Sequence, residues 1–306
     1  SYSALSTAAT DVITININDN PSVADLNTIA GKTAGVVTAT LATGNTASYS
    51  ALNTAATDVI TININDNPSV TDLNTIAGKT AGVVTATLAT GALSTFSSLS
   101  TAATDVITIN VNDGDGSNIN ATALSTLGGK TGGTVTVTEA VDISGTTDEV
   151  TAALVTTGSL VVVSDATVSI SDNPSISELN AIAAKTTGVV TATLSATSLS
   201  ALGSLSTGAA DVITINVNDA NSSPVNATDL STLGGKTAGT VTVDNAVAIT
   251  GNHDQVTAAL VTTGSKVVVS NASVTINDGA GTAILATELS DIGGATTGLV
   301  TVSSAV

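Results

Sequence analysis

Acidic side chains recur at fixed places in this chain. Asp11, Asp58, Asp105 and Asp211 each precede an apolar, β-branched run, and Asp19, Asp66, Asp113, Asp219 and Asp278 each end one. If successive runs stack side by side, about 4.8 Å apart, their carboxylates fall into columns. Like charges that close either hold a hard cation such as Ca²⁺ through oxygen ligands or turn outward into water. Asp19, Asp66, Asp113, Asp115, Asp219 and Asp278 are the candidate calcium ligands on this reading; no cofactor is required. The same acids lie in ordinary turn sequences, Asn-Asp-Asn-Pro at 18–21 and 65–68 and Asp-Gly-Asp-Gly at 113–116. Asp and Asn favour such turns by bonding to nearby backbone. The glycine-rich nonapeptide of calcium-binding repeats is absent. Turn chemistry and calcium both remain open at this level.

Other reactive types are scarce. Lys32, Lys79, Lys130, Lys185 and Lys236 sit in Gly-Lys-Thr or Ala-Lys-Thr. That fragment matches the end of a phosphate loop, but the upstream glycine and preceding strand are missing. A lysine in the last turn of a helix, complementing its dipole, is the simpler expectation. His253 is the only histidine, which removes histidine triads and histidine metal clusters, and its place in a capping sequence predicts exposure. Asp25, Asp72, Asp229, Glu178 and Glu288 read as helix-start residues rather than catalytic acids. No catalytic constellation emerges, and the chain is not expected to be an enzyme.

The elements that must position these groups come from repetition. Ser1–Gly44 returns as Ser48–Gly91 with changes only at Ser6/Asn53 and Ala24/Thr71, a period of 47 residues. A longer echo follows at a spacing of 106, where Ile107–Asp113 becomes Ile213–Asp219. Fixed-period similarity is the mark of stacked repeats. Residues 1–94 form two near-identical units, and 95–306 two longer, divergent units with an added strand per coil, in one continuous array. Within a unit, Ile13, Ile15 and Ile17 alternate with Thr14, Asn16 and Asn18, as a half-buried strand requires. Similar runs recur near 37–41, 59–65, 83–88, 106–112, 134–138, 160–164, 167–171, 189–194, 212–218, 240–244, 266–270, 273–277 and 299–303. Between strands, Ser22…Asp25, Ser69…Asp72, Thr146…Glu149 and Ser175…Glu178 have the form of a capping box. Asn226…Asp229 and Asn252…Gln255 are weaker versions. Gly31 stands where a left-handed helix C-cap is expected.

The predicted fold is a repeat solenoid. Parallel strands with right-handed crossovers carry short capped helices or helical turns between them, in about a dozen coils. One conflict is visible: strands repeat at about 4.8 Å, whereas packed helices want 8–10 Å.

Composition narrows the partners. The chain has 306 residues, a net charge of −18, six Lys+Arg against 24 Asp+Glu, and no Cys, Met or Trp. Six cations neutralise few phosphates, which argues against nucleic acid. No apolar run approaches the roughly 20 residues of a spanning helix, so membrane insertion is not expected. Tyr2, Tyr49 and Phe96 are the only aromatics, so the interior must be thin and filled by Val, Ile, Leu and Ala. Outward Thr and Asn, as in Thr14/Asn16, Thr38/Thr40 and Thr191/Thr193, form a second array. It reads either as a solvated face or as a lattice for ice or polysaccharide.

Three phrases carry a resemblance: Leu26–Thr40, Ala9–Asn16 and Val247–Gly251. They are similar to the degenerate repeats of giant secreted cell-surface proteins of marine cyanobacteria. That resemblance implies a secreted, often calcium-associated protein of surface-layer, adhesin or motility type, and contributes no catalytic residue. The expected function is a non-catalytic extracellular structural protein of a filament, sheath or surface layer, stacked end to end. The alternative is an adhesin stalk or binding module, rigidified by calcium or binding ice or glycan through the Thr/Asn face. The start at Ser1-Tyr-Ser-Ala-Leu5 and the final strand at 299–302 lead to the expectation either of head-to-tail self-association or of a segment cut from a longer array that continues at both ends.

Overall fold

Every β-branched run expected to form a strand contains one in the computed structural model, which describes residues 4–303. The strands are β1 (Ile15–Asn16), β2 (Val37–Thr40), β3 (Val59–Asn63), β4 (Val84–Thr87), β5 (Val106–Val111) and β6 (Asn118–Asn120). They continue as β7 (Val135–Val137), β8 (Asp142–Gly145), β9 (Val161–Val162), β10 (Thr167–Ile170), β11 (Val190–Thr193) and β12 (Val212–Val217). The last are β13 (Pro224–Asn226), β14 (Val241–Val243), β15 (Ala248–Gly251), β16 (Val267–Val269), β17 (Ser273–Ile276) and β18 (Val300–Val302). Helices alternate with them: α1 (Val23–Ala30), α2 (Thr46–Tyr49), α3 (Val70–Ala77), α4 (Ala121–Gly128) and α5 (Thr147–Val150). The rest are α6 (Ile176–Ala183), α7 (Leu199–Leu202), α8 (Ala227–Gly234), α9 (His253–Leu260) and α10 (Ala286–Gly294).

The chain divides into two compact units, residues 1–142 with 152–165, and 143–151 with 166–306. The first holds a sheet ordered β1-β2-β3-β4-β5-β7-β9. The second holds a sheet ordered β16-β14-β12-β11-β10-β8 and a separate one ordered β13-β15-β17-β18. All recorded pairs are parallel, and no sheet closes into a barrel. This is an α/β-type fold of parallel sheets. The change in repeat length at residues 94/95 falls inside the first unit.

Period-two alternation sets the core. Ile60, Ile62, Ile107, Ile109, Ile213 and Ile215 are fully buried, while the Thr and Asn between them face outward. Backbones of adjacent strand entries touch at glycine. A Cβ on Gly82, Gly133 or Gly239 would lie 2.5, 2.5 or 2.4 Å from the carbonyl oxygen of Ile60, Ile107 or Ile213.

The spacing conflict between strands and helices resolves by alternation. The eight-residue helices α1 and α3 are separated by the four-residue α2. Full helices therefore recur every second strand, about 10 Å apart, which is a helix-packing distance. Near the C-terminal end α8 and α9 follow consecutive strands. There small residues allow close approach: a Cβ on Gly251 would come 3.0 Å from the Ala227 methyl, and one on Gly234 would come 1.7 Å from the Ser265 carbonyl.

Helix starts follow the capping expectation with one chemical distinction. Glu149, Glu178 and Gln255 reach back to the backbone N–H of Thr146, Ser175 and Asn252, completing full boxes. Asp25 and Asp72 are one methylene shorter and instead accept the Ser22 and Ser69 hydroxyls, each at 2.7 Å. Asn226 makes no bond to the helix amides and donates to Asp229 at 3.2 Å. Gly31 is right-handed, at φ −68°, not left-handed, because the chain leaves α1 through a further right-handed turn. Ala184 fills the same place after α6.

Candidate functional site

The strand-entry acids are buried bridges. Asp58, Asp105 and Asp211 are 3%, 3% and 7% exposed. Their Oδ2 atoms accept from the N–H of Ala55, Ala102 and Gly208, which closes a local turn. Their Oδ1 atoms accept from Val37, Val84 and Val190, each at 2.8 Å, on the preceding strand. Each carboxylate thus joins one βα unit to the one before it.

The strand-end acids do the same for helix starts. Asp66 Oδ1 accepts from Thr46 N–H at 2.9 Å and from its hydroxyl at 2.6 Å. Asp172 holds Thr147 in the same way at 2.7 and 2.6 Å. Asp113 and Asp219 accept from Leu93 and Leu199 N–H at 2.8 and 2.7 Å. These partners sit at the first turn of short helices, where an anion is favoured. The Thr46 and Thr147 hydroxyls hold Asp66 and Asp172 below the usual carboxylate range. Asp115 accepts from Ala140 N–H at 3.1 Å, and Asp19 is exposed after β1. The candidate calcium ligands are thus dispersed along the chain, each beside a helix start or turn. Among the described residues no three Asp, Glu, His or Cys groups converge as a metal site.

His253 departs from its expected exposure. Its side chain is 16% exposed and that of Asp278 6%. Nδ1 lies 2.7 Å from Asp278 Oδ1, while the His253 N–H donates to Oδ2 at 2.8 Å. This is the Thr46/Asp66 arrangement with imidazole in place of hydroxyl. The hydrogen bond to Asp278 raises the His253 pKa above 6.5 against burial, and Asp254, with Oδ1 3.4 Å from Nε2, adds to the effect. Burial pushes Asp278 up, but its bonds to the His253 ring and backbone outweigh this and hold it below 3.8.

The Gly-Lys-Thr fragment proves to be a structural joint. Thr131 Oγ1 accepts from Ile107 N–H at 2.7 Å and from Gly133 N–H at 2.8 Å, and can donate to the Ile107 carbonyl at 2.9 Å. Thr33, Thr80 and Thr237 repeat the arrangement. The lysine lies one residue beyond the helix cap rather than in its last turn, because its N–H closes that turn on Ile29, Ile76, Leu127 or Leu233. Its carbonyl accepts the hydroxyl of Thr7, Thr54, Thr101 or Thr207. Lys236 Nζ donates to Gly203 and Leu205 carbonyls at the end of α7.

Asparagine supplies a joint that pattern reading missed. Asn74 Nδ2 donates to the Ser98 carbonyl and its Oδ1 accepts from Ser100 N–H, both at 2.8 Å. Asn27 and Asn180 grip the next βα unit identically. The signal available was Leu-Asn at one position of α1, α3 and α6, but helical spacing alone does not distinguish a clamp from a solvated amide.

Two grooves repeat with the 106-residue spacing. One, of 440 Å³, is lined by Leu199, Asp219, Asn226, Leu233 and Lys236, and its counterpart, of 330 Å³, by Leu93, Asp113, Asn120, Leu127 and Lys130. On the outward sheet face, register produces mixed columns, Asn16–Thr38–Val59 and Asn63–Thr85–Val106. Threonines meet in single pairs at Thr40–Thr61, Thr87–Thr108 and Thr193–Thr214, and β13-β15-β17-β18 carries a longer column, Asn226–Thr250–Thr275–Thr301.

Compared with known protein families, curated proteins and solved structures, the chain matches none. No helix among the described residues is long and apolar enough to cross a membrane.

Proposed function

We propose that this is a non-catalytic, secreted structural repeat protein whose βα units are coils of a solenoid stacked into a filament, sheath or surface layer. One observation carries the reading: the side chains with chemical potential are spent joining each coil to the next. Buried Asp and Thr and half-buried Asn each satisfy backbone groups of a neighbouring coil, and they do so at repeated positions in both units. Such an array gains stability chiefly from nearest-neighbour interfaces, as repeat proteins do. The likeness of its phrases to giant cyanobacterial surface proteins agrees with that role. Electron microscopy of concentrated protein tests it: unbranched fibres are expected, and discrete particles of one size at every concentration overturn it.

A second reading, a binding module or adhesin stalk, is favoured by the column Asn226–Thr250–Thr275–Thr301, whose outward hydroxyls align on adjacent strands. Polysaccharide-binding and thermal-hysteresis assays address it. Calcium enters that reading as a stiffening ion at Asp113 and Asp115 or their counterparts, and melting with and without chelator tests it.

A further inference from the structure

The coil that follows β12 opens a strand edge that the short coils lack. In a short coil residues 67–69 carry the chain from Asp66 to α3, whereas residues 220–226 carry it from Asp219 to α8 and include β13. β13 is the edge of its sheet and pairs with β15 on one side alone. Ala248 N–H donates to the Ser223 carbonyl, which fixes the phase of that ladder: Val225 turns both its backbone groups to β15. The Pro224 carbonyl and the Asn226 N–H therefore face the other way, and neither has a hydrogen-bond partner among the described residues.

Capping chemistry explains why the Asn226 N–H stays open. At α5, α6 and α9 a Glu or Gln reaches back and takes the N–H of the N-cap residue. At α8 the shorter Asp229 accepts from the Asn226 side-chain amide instead, at 3.2 Å.

These open groups border the 440 Å³ groove between α7 and α8, whose apolar wall includes Leu199, Val225 and Leu233. Asp219 and Asp229 also line it. Each has one oxygen committed, to Leu199 N–H and to the Asn226 amide, and the other without a partner among the described residues. Lys236, the lysine of this groove, is spent on the Gly203 and Leu205 carbonyls. A guest therefore meets an apolar wall, one backbone acceptor and one backbone donor two residues apart, and carboxylate oxygens without a counter-ion.

We propose that this groove binds a short extended peptide carrying a lysine or arginine. The N–H and C=O of one peptide residue bond to the Pro224 carbonyl and the Asn226 N–H, as Ala248 engages Ser223 and Val225 on the opposite edge. Its basic side chain reaches Asp219 or Asp229, and a flanking apolar side chain packs on the wall. Pro224 has no N–H, so pairing stops there and the edge does not seed a longer sheet. The counterpart groove 106 residues earlier is an internal control. Ala123 stands there in place of Asp229, and Lys130, which makes no bond of the Lys236 kind among the described residues, balances Asp113. This recognition does not depend on whether copies of the chain stack.

Amide NMR with the peptide acetyl-Val-Thr-Lys-Val-Thr-amide tests it. Titration is expected to shift and protect the Asn226 amide while the Asn120 amide stays in place. Two further peptides, one with glutamate for lysine and one N-methylated at lysine so that it has no donor for Pro224, are each expected to bind about tenfold more weakly or worse. Asp229→Ala is expected to weaken the lysine peptide about two- to fivefold, as loss of an exposed ion pair does, with unmoved amides elsewhere reporting an intact fold. Equal binding of the N-methylated peptide overturns strand addition, equal binding of the glutamate peptide overturns recognition by charge, and either result sinks the proposal. A shift at Asn226 caused by Ca²⁺ and not by the lysine peptide makes the groove a cation site and refutes it as well.

Discussion

Replacing Thr131 by Val isolates the joint that holds strand entries together. The substitution keeps the shape and removes one hydroxyl, which is 2% exposed with its residue and takes two backbone amides, Ile107 N–H at 2.7 Å and Gly133 N–H at 2.8 Å. Water cannot replace it without opening the contact between Gly133 and the Ile107 backbone, where a Cβ would meet oxygen at 2.5 Å. Two buried donors left unpaired cost about 1–3 kcal/mol each, and about 2–6 kcal/mol together. Thr131→Ser keeps the hydroxyl and loses one methyl, about 1 kcal/mol. Thr136→Val, on the half-exposed outward face, should stay within about 0.5 kcal/mol of the parent. Urea unfolding followed by circular dichroism orders the three variants. Amide exchange locates the effect, because protection should fall first at Ile107 and Gly133. If Thr131→Val unfolds within about 1 kcal/mol of the parent with those amides still protected, the hydroxyl joint is not what holds these strands.

Three further outcomes are expected. Gly82→Ala should destabilise by about 2 kcal/mol or more, since its methyl would sit 2.5 Å from the Ile60 carbonyl oxygen, a backbone atom that cannot swing aside; a neutral melting curve would contradict this. Lys266→Gly should stabilise by up to about 1 kcal/mol because Lys266 is held at φ 58°, while Lys266→Val should destabilise; equal melting temperatures would contradict it. The His253–Asp278 pair should stabilise most between pH 3.8 and 6.5, the ordinary values of the two groups. The raised His253 pKa gives stability that is complete below 6.5 and lost as pH rises through its folded value. The depressed Asp278 pKa gives stability present above 3.8 and lost as pH falls through its own. The melting-temperature difference between the parent and His253→Gln should therefore shrink from about pH 6 to pH 8.5, and a flat difference would refute the pairing.

Most of the strands, though not β6, β13 or β15, most of the full helices, though not α4, and the parallel α/β class were legible in the sequence. These rest on short-range physics: alternation of Ile with Thr buries one face of a strand, and Ser22 or Ser175 with an acid three residues on satisfies the first helix turn. Even the 47-residue period was legible, though not its consequence. That a full helix and a four-residue turn alternate, so that helices meet about 10 Å apart over strands at about half that distance, is a packing solution visible only in three dimensions. Tertiary structure also decided what the patterned polar residues do. Asp66 looked like Asp19, Thr131 like Thr136, and Asn74 like any exposed amide, because identity and spacing do not reveal which backbone group a side chain reaches some 20–29 residues away. His253 illustrates the point: its local sequence is a helix start open to solvent, and only the arrival of Asp278 from 25 residues on makes it half of a partly buried pair. Local sequence fixes conformation through neighbours along the chain, whereas the role of a polar group is fixed by the partner that folding brings to it.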